Sequence, residues 1–289
     1  MQDVFQIAVG TVTMRPYVFA FLAVYLFAAS AHLGWKKTFL FTMVGYFISF
    51  LSEYSSINTG FPYGWYYYIE ATKDRELWIA GVPFFDSLSY VFLAYCSYAT
   101  ALLLVSPVKA WGMNFVTLET RAIRRSLAVL FLGSLFQVFL DIIVDPVALQ
   151  GRRWFLGQIY GYQEPGCHFG VPLSNYIGWW GVSVFMVLAL QIIDSVFGRK
   201  AKRPAAGIWN PPFRALLGPF LFLSVIIFNI TVTLLIGEKL LATTGIFIFT
   251  LPISIVTVLI IRRVNRYTRD ELAEHLRDYP WSPAAGKKR

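Results

Sequence analysis

A chain of 289 residues that is 57% hydrophobic and only 14% charged, with a mean hydropathy of +0.57, is too apolar for a soluble domain. A net charge of +9 would suggest nucleic acid as a partner of a soluble protein, but here the basic residues fall between apolar runs, where they set membrane topology instead. Nucleic acid is therefore excluded as a partner, and the fold class is an all-α polytopic membrane protein whose surroundings are the lipid bilayer.

The first apolar run follows a single basic residue, Arg15, without a small-residue cleavage site, and reads as a retained span. Seven spans of about 20 residues are expected, at about 16–34, 38–56, 85–105, 126–145, 175–197, 213–236 and 240–261. Loops carrying Lys36 and Lys37, then Lys109, Arg121, Arg124 and Arg125, then Arg199, Lys200, Lys202, Arg203 and Arg214 should face the cytoplasm with the basic tail. This places the N-terminus outside and the C-terminus in the cytoplasm, in the cell's inner membrane. Residues 1–264 form one helical domain, with 198–212 as a cytoplasmic connector. In the tail, 265–289, a short amphipathic helix from Thr268 to Leu276 is expected to be solvated or bound to headgroups.

The chemistry concentrates in acids at one end of the bundle. Asp141 and Asp145 lie one helical turn apart at the end of an apolar run, where an ionised side chain is costly and usually has a task. An internal repeat supports this. Gly81-Val82-Pro83-Phe84-Phe85-Asp86 matches Gly170-Val171-Pro172-Leu173-Ser174-Asn175, each just before an apolar run. Glu53 precedes Gly81 by 28 residues and Asp141 precedes Gly170 by 29, so these two acids correspond. Each unit, at about 38–105 and 126–197, runs span, long outer loop, Gly-Val-Pro turn, span, and both start on the same side, which makes the repeat parallel. Glu53, Asp86, Asp141, Asp145 and Asn175 should line the space between the units.

The loops around this cluster are rich in rings: Phe61, Tyr63, Trp65, Tyr66, Tyr67, Tyr68 and Trp78 in one, Trp154, Phe155, Tyr160, Tyr162 and Phe169 in the other, then Trp179 and Trp180. An interfacial aromatic belt accounts for such residues in many membrane proteins. Beside carboxylic acids they allow a sharper reading, in which an acid protonates an alkene and the π-faces stabilise the cation that follows. Structural roles compete at each polar position. Asp145 could close a turn before Pro146 or pair with Arg152 or Arg153, and Asp86 and Asn175 stand where N-caps stand. Asp194 reads as interfacial, and Gln137 and Asn229 as interhelical glue. His32, His168 and His275 are scattered and Cys96 and Cys167 form no metal pattern, so no metal is expected. No Gly-rich phosphate loop or dinucleotide fingerprint is present, and no cofactor is expected.

Glu53 followed by Asn58-Thr59-Gly60 and Pro62-Tyr63-Gly64-Trp65-Tyr66-Tyr67, then Gly81-Val82-Pro83, Asp141 to Pro146-Val147-Ala148, and Gly170-Val171-Pro172 to Asn175 and Gly178-Trp179, resembles the integral-membrane carotenoid biosynthesis proteins. That family includes carotenoid 1,2-hydratases acting on acyclic ends. The resemblance is good over roughly residues 45 to 185 and implies cofactor-independent addition of water to the terminal C1–C2 double bond of an acyclic carotenoid, alongside other carotenoid pathway enzymes. On this reading Asp141 or Glu53 is the proton donor. Asp86, Asn175 or Asp145 holds the water, Asp145 being the positioning member, and Tyr63, Trp65, Tyr67 and Trp179 bind the substrate. A terpenoid cyclase or isomerase, or a proton-coupled transporter of a lipophilic substrate, would use the same groups.

Overall fold

The structure, a computed structural model, describes residues 4–154, 157–197 and 211–285. Residues 198–210 of the expected connector 198–212, with Arg199, Lys200, Lys202 and Arg203, and Phe155 lie outside the described residues.

The chain begins with α1 (Val4–Met14) and α2 (Pro16–Leu33), the latter started by Pro16 in the first turn, where a missing N–H costs nothing. Gly34, at φ +91°, allows the sharp reversal into α3 (Trp35–Thr59), which ends on Gly60 in the left-handed conformation. The first outer loop holds short strands β1 (Tyr66–Tyr68), β2 (Trp78–Ile79) and β3 (Val82–Pro83) before α4 (Phe84–Val105). At the other end lie the hairpin β4 (Val108–Trp111) and β5 (Asn114–Thr117) and the single-turn α5 (Arg121–Arg124). Next comes α6 (Leu127–Leu149), capped by Ser126, whose Oγ accepts from the Val129 N–H. The second outer loop holds β6 (Tyr160–Tyr162) and leads to α7 (Leu173–Phe197). The chain finishes with α8 (Arg214–Leu235), α9 (Lys239–Arg263) and the tail helix α10 (Arg269–Asp278).

Among the described residues six helices are long and apolar enough to cross a bilayer: α2, α4, α6, α7, α8 and α9. The remaining expected span falls on α3. At 25 residues it is long enough, but Thr38, Thr42, Ser49 and Glu53 are buried along it and lower its apolarity. These polar residues face neighbours, not lipid; Thr42, for example, shares a 2.9 Å hydrogen bond with Tyr25 of α2. The centre of the bundle is α4, buried along nearly its whole length, with α6, α8 and α3 packed around it.

The repeat is structural as well as textual. Gly81 and Gly170 take φ of +85° and +90°, which only glycine adopts without strain, and Val82 and Val171 after them are both fully buried. The two outer loops pair directly: β1 and β6 are antiparallel, with Tyr66 opposite Tyr162 and Tyr68 opposite Tyr160. Equivalent loops thus join the two units outside the bundle.

The opposite end, where the basic loops gather, is closed by a buried ionic network. Arg124 donates to Glu119 at 2.9 Å and to Asp194 at 3.1 Å, and Lys37 donates to Asp194 at 2.6 Å. Asp194 is therefore not an interfacial residue; Arg124 and Lys37 compensate its burial. Arg124 and His32 hold the Glu119 carboxyl well below its ordinary value against the opposing effect of burial.

The tail helix forms as expected, with a Thr268–Glu271 capping box, but it is docked, not solvated. Leu272 packs with Val116, Leu118 and Ala284, while buried His275 bonds the Glu119 carbonyl at 2.7 Å and the Ser282 hydroxyl at 2.7 Å. Truncating Arg124 leaves two buried carboxylates short of a cation, so Arg124→Ala should cost about 3–5 kcal/mol and sharply lower the apparent Tm in detergent. Arg153→Ala, at a half-exposed pair with Glu238, should cost no more than about 1 kcal/mol in the same measurement.

Candidate active site

The acids meet where the two Gly-Val-Pro turns deliver the starts of α4 and α7 beside the ends of α3 and α6. A cavity of about 110 Å³ opens there, with Glu53, Asp86, Asp145 and Asn175 in its wall.

Each carboxylate is met by neutral donors. Ser87, in the first turn of α4, donates to Glu53. Asp86 does not act as an N-cap; its carboxylate accepts from the Tyr68 hydroxyl at 2.7 Å. Asp145 forms no ion pair with Arg152 or Arg153, since Arg153 is bound to Glu238 and the Ile236 carbonyl. It accepts instead from Tyr160 at 2.8 Å, Tyr162 at 2.8 Å and the Asn175 amide at 2.7 Å. The same amide nitrogen donates to Asp141 at 2.8 Å, so Asn175 bridges the two aspartates. This is why Asn175 is not spent on capping.

Asp141 lies behind the wall. It is fully buried, does not line the cavity, and its second oxygen has no hydrogen-bond partner among the described residues. The structure therefore puts Asp145, not Asp141, against the space where a ligand would sit. The helical period explains the exchange: both share a face of α6, but only the last turn reaches the level of the outer loops.

Strand alternation sorts the aromatic residues. Tyr66 and Tyr68 point inward from β1, and Tyr160 and Tyr162 from β6, so four rings roof the cavity. Tyr67 and Trp65, both expected to bind substrate, are half exposed and absent from the cavity wall. Trp65 lies over Gly60 instead. Of the other two expected rings, Tyr63 bonds Ser52 at 2.8 Å, and Trp179 stacks on Tyr90 with centroids 4.2 Å apart. The Pro62-Tyr63-Gly64 turn sits against α7 so closely that a Cβ at Gly178 would come within 2.5 Å of the Pro62 carbonyl. That contact is the reason for glycine at Gly178.

Burial pushes the Tyr160 and Tyr162 hydroxyls well above their ordinary value, and the neighbouring Asp145 charge adds to the effect. The same holds for Tyr68 beside Asp86 and Tyr66 beside Glu53. All four are fixed as neutral O–H donors.

Sequence reasoning did not assign site roles to Ser87, Tyr17, Tyr90 and the four inward tyrosines, nor to Asn229, which lines the cavity although it reads as glue. The two Tyr-x-Tyr patterns carried the signal for the roof. Gln137 bonds no neighbouring helix; both of its amide atoms are buried without a partner among the described residues. Among those residues no group of three His, Cys, Asp or Glu side chains is placed to hold a metal ion.

Over residues 10–252 the chain matches the family described as carotenoid biosynthesis protein. It belongs to that family. No curated protein and no solved structure matches it. The acid-lined cavity roofed by rings gives this carotenoid biosynthesis protein one polar region within an otherwise apolar bundle.

The roof makes a specific forecast. Tyr160→Phe removes one donor to Asp145 and should lower pigment conversion about tenfold or more, the loss expected for a hydrogen bond to a charged group. Tyr67→Phe, on the outward side of the neighbouring strand, should convert pigment at the wild-type rate; both are scored by chromatography of cell extracts.

Proposed function

We propose that this protein is a carotenoid hydratase that adds water across the terminal C1–C2 double bond of an acyclic carotenoid end. The observation that carries this reading is the small cavity in which Glu53, Asp86 and Asp145 face tyrosine and tryptophan rings. Acid, base and cation-stabilising faces are the three things alkene hydration needs.

In this mechanism Glu53, which accepts from the Ser87 hydroxyl, gives its proton to C2. The positive charge develops at C1, a tertiary carbon, against the faces of Tyr63, Tyr66 and the stacked Tyr90–Trp179 pair. Asp145 already receives three donors and acts as the base. It takes a proton from water as the water oxygen bonds to C1, which yields the tertiary alcohol. The proton then returns to Glu53 through solvent, so the net change is one alkene and one water becoming one alcohol. Asp141 positions Asn175, and through it Asp145, without touching the substrate. The reaction calls on no cofactor.

The same reading places the acid end of the bundle outside the cell's inner membrane and the Glu119–Arg124 end in the cytoplasm, following the distribution of basic residues. The bilayer holds the carotenoid, and solvent supplies water and proton at the outer end. Other enzymes of the pathway supply and take the pigment.

Expression in cells that make lycopene or γ-carotene tests the proposal. The expected product is heavier by one water and takes up the heavy isotope from ¹⁸O-labelled water. Asp145→Asn should cut its formation by about 100-fold or more, the scale of a lost general base. A product of unchanged mass and altered retention would replace hydration with cyclisation or isomerisation. Untouched pigment, with transport altered by Asp145→Asn, would replace enzyme with transporter.

A further inference from the structure

A second cavity, of about 320 Å³, is a groove lined by α4, α8 and α9, and its wall is apolar. It exists because α9 is attached unevenly. The buried residues of that helix, Leu241, Ala242, Gly245 and Phe249, all lie in its first half, near the short turn through Gly237 that joins it to α8. Its second half leaves room beside the bundle, where Pro252, Val256 and Ile260 line the groove together with Pro219 and Leu223 of α8.

The hairpin β4–β5 fixes the spacing of the two helices at this end. The Phe115 N–H donates to the Pro212 carbonyl at 2.9 Å, just before α8, and the Asn265 N–H donates to the Val108 carbonyl at 2.8 Å, just after α9. Phe115 itself stands in the groove wall. An exposed apolar groove held in this way marks a binding surface.

The end of the groove is basic. Arg263 lies one turn beyond Ile260 on the same face of α9, and its Nη1 donates to the Leu104 and Val105 carbonyls, the last two of α4, at 2.6 and 2.8 Å. Leu103, just before those carbonyls, lines the groove, so the guanidinium stands where the groove ends. Arg263 pairs with no carboxylate among the described residues, and its Nη2 and Nε remain as donors on an exposed side chain. Arg262 and Arg266, both exposed, flank it in the chain.

An apolar slot that ends on an exposed guanidinium fits a molecule with an apolar chain and an anionic head. We propose that this groove binds one anionic phospholipid from the leaflet on the Glu119–Arg124 side, with an acyl chain between α8 and α9 and the phosphate on Arg263. Basic residues beside a crevice between membrane helices recognise anionic headgroups in this manner. The lipid completes the packing of α9, whose second half the protein itself leaves uncovered. The site shares no lining residue with the acid cavity and does not depend on the reaction carried out there.

Native mass spectrometry of the full chain, delipidated in detergent and titrated with phosphatidylglycerol or phosphatidylcholine of matched chains, tests the site. Wild type should hold one phosphatidylglycerol about fivefold more tightly than phosphatidylcholine, the scale of one arginine acting on an anionic headgroup. Arg263→Gln should abolish that preference, and Arg263→Lys, which keeps the charge, should retain it. Val256→Trp, which fills the groove, should lose both lipids; Leu223→Trp fills it from α8 should Val256→Trp fail to fold. Ile255→Trp, on the exposed side of α9, should bind as wild type. Equal affinity for the two lipids in wild type would overturn the proposal, as would a preference that survives in folded Arg263→Gln or lipid binding unchanged in a folded groove variant. A dimer that Val256→Trp breaks, with phospholipid binding untouched, would give the groove to a second copy of the chain instead.

Discussion

Four carboxylates stand buried at the junction of four helices, and their need for donors organises everything around them. A buried charge without hydrogen bonds is too costly to keep. The donors come from parts of the chain that nothing else would bring together: Ser87 from the first turn of α4, Asn175 from the first turn of α7, Tyr68 from one outer loop, Tyr160 and Tyr162 from the other. The Gly-Val-Pro turns set the helix starts at the right depth, and the β1–β6 pair sets the tyrosines. The outer loops are therefore structure with a task. They roof the acids with hydroxyl groups that stay neutral.

The opposite end solves the same problem with charge. Glu119 and Asp194 are compensated by Arg124 and Lys37, and the tail helix is fastened over the network by His275. A carboxylate paired with a guanidinium is occupied. One met only by hydroxyls and an amide keeps its capacity to exchange a proton, which is the property a site for acid–base work requires. The acid cavity and the Glu119–Arg124 network thus differ in how their carboxylates are compensated: by hydroxyls and an amide in one, by cations in the other.

Much of this was legible in the residues. Apolar runs located the helices, and the repeated Gly-Val-Pro with its acids located the cavity that Glu53, Asp86, Asp145 and Asn175 line. What was not legible has physical reasons. Asp141 and Asp145 have the same period and face, so the sequence could not say which reaches the cavity; that depends on where α6 ends relative to the loops. Tyr66 and Tyr67 differ only in parity, and parity means something only once β1 is known to be a strand. Asp194 looked interfacial because it is near a span end, and its partners Arg124 and Lys37 are far away in sequence. Loop and tail docking depend on long-range contacts of this kind, as with His275 against the Glu119 carbonyl.

The pairing of β1 with β6 also limits how the molecule can move. These strands belong to different repeat units, yet they are joined by main-chain hydrogen bonds directly above the acids. Many membrane proteins built from two like halves work by rocking one half against the other, opening the centre to each side in turn. Here such rocking would have to pull the roof apart, taking the tyrosines off Asp86 and Asp145 together. The two halves are stitched into one body at the acid end, which suits a vessel in which a reaction is sheltered better than a gate through which cargo passes.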